Sequence, residues 1–85
     1  VMDAAPPRKF RANLEKTALE VPGVREVETL LVRKMGFDYY VDIHVCVDGS
    51  LTVREGHDIA HAVKDRLREK HANVRDALVH IEPDE

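Results

Sequence analysis

The stretch Tyr40-Val41-Asp42-Ile43-His44-Val45-Cys46-Val47-Asp48 carries the clearest periodicity in the chain. Val41, Ile43, Val45 and Val47 alternate with Tyr40, Asp42, His44, Cys46 and Asp48. Period two over this length predicts a strand with one apolar face buried and one polar face turned away from the core. Immediately upstream, Met35-Gly36-Phe37-Asp38 reads as a hairpin turn, and the aliphatic run from Val24 to Arg33 as the first strand of that hairpin. Further back, Phe10, Leu14, Thr17, Ala18 and Val21 recur at helical spacing, with Leu19 on the opposite side and Pro22-Gly23 as the stop.

Downstream, Asp48-Gly49-Ser50 is a turn, and Thr52 with Glu55 forms a capping box that opens a second helix. Its apolar face is Val53, Gly56, Ile59, Ala60, Val63 and Leu67, and it ends near His71-Ala72-Asn73. Val74 to Pro83 reads as a last strand in which Ala77, Val79 and Ile81 alternate with Leu78, His80 and Glu82. The order is α-β-β-α-β. A right-handed crossover puts the third strand parallel to the second and beside it. The expected fold is α+β, an open-faced sandwich with a three-stranded sheet and two helices on one face, of the ferredoxin-like, metallochaperone-like kind. Residues 1–6 read as an arm, 7–83 as the domain and 84–85 as an acidic tail that frays.

The chain has 85 residues, enough for one small core. Lys+Arg of 13 against Asp+Glu of 16 gives a net charge of −3, which argues against a nucleic-acid binder. Aromatic content of 5% without Trp leaves little for base stacking. No apolar run approaches the ~20 residues of a bilayer span, and no secretory signal pattern is visible. The single cysteine, Cys46, excludes an intrachain disulfide and fits a reducing compartment. A domain of this size buries only about 60–65% of its unfolded surface. A second subunit or a metal would complete it.

Five histidines in so short a chain are the unusual feature. If the valines of the second strand face the helices, Asp42, His44 and Cys46 project from the open face. By the same parity His80 and Glu82 project from it too. Neighbouring strands lie ~4.8 Å apart, so imidazoles and carboxylates converge on one patch. That is a ligand set for zinc and similar divalent metals. Period two alone would also put polar side chains on a wet sheet face without any ion. His57 flanks the apolar face of the second helix, where it can reach a neighbouring element or a second subunit. His61 and His71 read as solvated.

His57-Asp58-Ile59-Ala60-His61 imitates the zinc-protease pattern H-E-x-x-H. Its acid is one methylene short, no third ligand follows, and the domain has no room for a substrate cleft. There is no phosphate loop, nucleophile elbow or C-x-x-C pair, so the expectation is a protein that is not an enzyme.

Val21-Pro22-Gly23-Val24, Leu31-Val32-Arg33-Lys34-Met35-Gly36 and Val41-Asp42-Ile43-His44-Val45 together resemble the cytoplasmic C-terminal domain of cation diffusion facilitator transporters. Ser50-Leu51-Thr52-Val53-Arg54-Glu55-Gly56-His57 and Val79-His80-Ile81-Glu82-Pro83 extend the resemblance to nearly the whole folded part. It implies the soluble end of a membrane transporter that exports or sequesters divalent metals, on the cytoplasmic face of a membrane. It further implies a homodimer that binds metal at or near its interface, the metal drawing the subunits together and so regulating the transmembrane domain. The implied ligand positions are matched by His44, His57, His80 and Glu82, with Asp42 joining His80 in iron-handling relatives. Zinc is the first expectation, with iron or manganese as alternatives. Zinc-exporting relatives often carry histidine where this chain has Glu28 and aspartate where it has Glu82, which leaves open whether Glu28 or Cys46 joins the site. Arg8, Lys9 and Arg11 are expected nearest the membrane. A dimerisation module that binds no metal is the competing reading.

Overall fold

The computed structural model describes residues 6–84. Its elements are α1 (Arg8–Leu19), β1 (Glu26–Met35), β2 (Asp38–Asp48), α2 (Val53–Lys70) and β3 (Val74–Asp84). The sheet order is β1-β2-β3, with β1 antiparallel and β3 parallel to β2. This is the α-β-β-α-β open-faced sandwich expected from the periodicity.

Pro7 precedes α1 with φ −56°, already suited to a helix start. The helix buries Leu14, Thr17 and Ala18, and Val21 beyond its end is buried too. Arg11 donates to the Leu30 carbonyl at 2.7 Å, fastening α1 over β1 rather than leaving that charge free. Gly23 has φ +99°, and a Cβ there would lie 2.6 Å from the Ile59 Cδ1. Only glycine allows both the left-handed turn and the close approach to α2. β1 starts at Glu26, two residues later than expected, while Val24 packs against the core from the loop.

The hairpin closes through Gly36-Phe37, since Met35 pairs with Asp38. Gly36 has φ +67° and Phe37 does not share a positive φ, the pattern of a type II′ turn. The capping box of α2 is present in full: the Thr52 hydroxyl accepts from Glu55 N–H at 3.0 Å, and Thr52 N–H donates to Glu55 at 2.9 Å. Val53, expected on the apolar face, is instead 92% exposed. It opens the first turn, and the helix rolls so that Gly56, Val63 and Leu67 face the sheet.

Leu14, Ile43, Val45, Val63 and Leu67 are the largest fully buried side chains, so the core lies between the helices and the valine face of β2. β3 runs through Pro83 to Asp84, where the sequence suggested a frayed tail. Asp84 is held by Arg25 at 3.1 Å, and Arg25 also lies 3.7 Å from Asp48. Pro83 sits on an edge strand, where its missing N–H costs no ladder bond. No helix among the described residues is long and apolar enough to cross a membrane.

Candidate metal centre

The open face of the sheet is ordered in rows by strand register. Asp42 lies between Leu31 of β1 and Leu78 of β3, and the next row sets His44 between Thr29 and His80. The His44 and His80 rings stack with centroids 4.1 Å apart and planes at 18°. His80 Nε2 lies 3.0 Å from Asp42 Oδ1, and His44 Nε2 lies 3.6 Å from the same oxygen. On its other side, His44 Nδ1 lies 2.5 Å from Glu82 Oε2. Since a carboxylate only accepts, His44 donates from Nδ1, and in the neutral ring the lone pair then lies on Nε2, facing Asp42.

A bulge explains how β1 contributes. Val27 pairs with Val45 and Leu30 with Ile43, so β1 spends one residue more than β2 between them. The extra residue lets Glu28 reach the open face beside Thr29, out of the alternation of its own strand. Glu28, His44 and Glu82 then form a second donor group next to Asp42, His44 and His80, each with donor atoms within 4.8 Å of one another. Glu82 pushes the Glu28 carboxyl above its ordinary range, by accepting its proton in a hydrogen bond and by like charge. Glu82 itself is lowered, chiefly by the hydrogen bond from His44.

Asp42 Oδ1 and His80 Nε2 are both shielded from solvent, and among the described residues neither makes a hydrogen bond. They lie 3.0 Å apart, yet their geometry is not that of a hydrogen bond. A buried oxygen and nitrogen aimed together without a shared proton are costly as they stand. A cation between them would satisfy both, and their chemistry fits a divalent metal.

The structure therefore brings together Asp42, His44, His80 and Glu82, and adds Glu28. Cys46 lies at the margin, its sulfur 4.0 Å from Glu28. Cys46 is buried, and burial, with the nearby carboxylates, pushes its thiol up and away from the thiolate a metal needs. His57 belongs to the helix layer and is in neither donor group; its ring lies 4.5 Å from that of His61. His71, expected to be solvated, is half-buried. Its Nε2 lies 2.9 Å from the Thr17 hydroxyl and its ring meets Phe10 edge-on at 5.9 Å.

A family model described as "cation efflux protein, cytoplasmic domain" matches residues 6–84. An uncharacterised transporter of Methanocaldococcus jannaschii is 41% identical over 78 residues, 92% of this chain. Metal tolerance protein C1 of Arabidopsis thaliana is 30% identical over 83 residues, 98% of this chain. The chain spans only 27% and 18% of the length of these two relatives. Among solved structures, a variant of the MamM C-terminal domain in its nickel form superposes with a TM-score of 0.90 at 29% identity, covering 93% of this chain and 100% of that one. With the family model spanning both helices and all three strands, the chain belongs to the family of cation efflux protein cytoplasmic domains.

Proposed function

We propose that this chain is the metal-sensing and dimerisation domain of a divalent-cation efflux transporter. A metal ion on the open face favours a closed homodimer and so regulates the transmembrane domain. The observation that carries this reading is the pair of unpartnered, solvent-shielded atoms, Asp42 Oδ1 and His80 Nε2. Asp42, His44 Nε2 and His80 would hold the ion, and Glu82 would hold His44 in the tautomer that offers Nε2.

His44 also links this group to Glu28 and Glu82, but only through Nδ1. A neutral imidazole has one lone pair. It therefore serves one donor group at a time, and Glu82 changes from orienting carboxylate to ligand when the ion sits beside Glu28. Mixed imidazole and carboxylate donors suit zinc first, with iron or manganese as alternatives. The nickel form of the similar MamM domain supports a divalent transition ion in this fold.

Calorimetric titration of zinc into the wild type and into His80→Ala tests the reading. Binding in the wild type that is lost or severely weakened in the variant supports it; no heat in the wild type, or equal binding in both, overturns it. A second reading is favoured by Leu31 and Leu78, 59% and 61% exposed on either side of Asp42. Two such apolar side chains on an uncovered sheet face can associate without any ion. Sedimentation with and without a chelator separates the two readings.

A further inference from the structure

The β1–β2 hairpin ends in a feature that neither the core nor the open-face centre uses. Gly36 supplies the left-handed turn position, and Phe37 follows it with 96% of its surface exposed. A turn of this kind asks for glycine at its first central position and takes a polar residue readily at the second. Folding therefore gains nothing from the Phe37 ring. Met35 before the turn is 55% exposed and Tyr40 after it is 37% exposed, so the apolar surface of the tip is shared. Single exposed apolar side chains are ordinary. A group of them on a protruding turn, set among cations, is not.

The cations come from two elements. Arg33 and Lys34 precede Met35 and pair with Tyr40 and Tyr39 across the hairpin. Both are exposed, and among the described residues neither has an ion pair. The Phe10 ring packs on Tyr39 with centroids 4.7 Å apart. That contact brings the start of α1, with exposed Arg8 and Lys9, to the same end of the molecule. Asp38 is the acid next to the turn, and it shares a groove with Arg68 and Arg75 as well as with Asp65 and Glu69. The strand register gathers Glu26, Glu28, Asp48, Glu82 and Asp84 at the other end of the sheet. A net charge of −3 thus conceals a polarised molecule, basic and apolar at one tip and acidic at the other.

We propose that the hairpin tip docks on a bilayer that carries anionic lipid. Phe37 and Met35 enter the boundary between headgroups and acyl chains, while Arg33, Lys34, Arg8 and Lys9 lie against lipid phosphates. Charge complementarity selects this occupant. A second copy of the chain, tip to tip, would set these cations against their own kind. An anionic bilayer offers apolar depth and negative charge together, the pairing that interfacial segments use. Neither half suffices alone, since one buried chain or a few surface cations bind only weakly. The contact uses none of Glu28, Asp42, His44, His80 or Glu82, so it stands or falls apart from the metal reading.

The chain has no Trp, so Phe37→Trp places a single indole at the tip, where exposure lets it fold. All measurements are made with a chelator present, which keeps the metal centre silent. Vesicles of equal parts phosphatidylcholine and phosphatidylglycerol should shift the Phe37→Trp emission to the blue and carry the wild type down in co-sedimentation. Phe37→Ser should weaken that binding roughly tenfold or more. Arg33→Gln/Lys34→Gln should weaken it about 25-fold, roughly fivefold for each cation removed. Added salt should weaken the wild type toward the double variant. The proposal is overturned if the indole emission ignores the anionic vesicles, or if Phe37→Ser co-sediments as the wild type does. An equal blue shift on phosphatidylcholine alone overturns it too, because the cations would then have no part. A blue shift that grows with protein concentration in the absence of vesicles also overturns it, by assigning the tip to a protein contact. Failure of the metal reading shows elsewhere, as zinc binding indifferent to His80→Ala.

Discussion

Removing His44 should cost more metal affinity than removing any other single donor, because it belongs to both donor groups of the open face. Glu82→Gln keeps an acceptor for the His44 Nδ1–H and is expected to cost roughly 10–100-fold, the usual effect of disturbing a group that orients a ligand. His44→Ala should exceed that range, and zinc calorimetry on the two variants ranks them. His71 titrates apart from that site. Burial, and then the charge of Lys70, lower its pKa below the ordinary value of about 6.5, so the fold favours neutral His71. The unfolded chain takes up that proton more readily. This contribution to stability is complete above about pH 6.5 and is lost as pH falls below it. Urea unfolding from pH 7.5 to pH 5 should show that slope in the wild type and a shallower one in His71→Gln. The parity of β2 makes Asp42 and His44 legible as open-face residues from the sequence alone. The tautomer of His44 is not legible there, since it depends on a carboxylate 38 residues away. Nor is the Thr17 partner of His71, because a helix-terminal histidine offers no sequence mark of what it meets across the fold.

At the scale of elements, the strongest sequence signals are those with a stereochemical cause. Thr52 and Glu55 predict the start of α2 because the capping box satisfies free N–H groups wherever it occurs. Thr52→Ala should cost about 1 kcal/mol in denaturant unfolding. The two glycines with positive φ make a sharper comparison. At Gly36 nothing among the described residues lies within 4 Å of where an alanine Cβ would sit, so Gly36→Ala meets only the backbone cost of the left-handed region, roughly 1–2 kcal/mol. At Gly23 the same change adds a clash with Ile59, so Gly23→Ala should destabilise more than Gly36→Ala. Equal losses in thermal unfolding would refute that ranking. The bulge in β1 is the element the sequence hides. Period two assigns Glu28 to one face or the other, and an inserted residue breaks the parity without a glycine to announce it. For the same reason the strand pattern alone does not bring Glu28 into the centre, and only the family resemblance points to its position. The reach of β3 to Asp84 depends on Arg25, which draws two carboxylates from other strands, and no local pattern encodes that.

For the molecule as a whole, the sheet has one finished face and one unfinished. Helices cover the valines, while the opposite face gathers carboxylates, two stacked imidazoles and the exposed Leu31 and Leu78. Without an ion, that face concentrates like charge and, among the described residues, leaves Asp42 Oδ1 and His80 Nε2 without a hydrogen bond, which opposes close approach of a second copy. An ion bound there as proposed would reverse both terms, because it would neutralise the carboxylates and lie against Asp42 Oδ1 and His80 Nε2. Apolar Leu31 and Leu78 then remain as the natural contact. Metal should accordingly stabilise the fold and the dimer together. At a free zinc concentration 100 times its dissociation constant, linkage supplies about 2.7 kcal/mol. In a domain of this length that corresponds to a rise in thermal midpoint of roughly 10–20 °C. The same zinc should shift sedimentation toward a more compact dimer. Acidification should reverse both effects, since protons compete for the imidazoles and carboxylates proposed to bind the ion. In His80→Ala the midpoint shift should collapse, although the Leu31 and Leu78 contact is left intact. A dimer that ignores zinc, chelator and His80→Ala alike would place the association in the leucines and leave metal no regulatory part.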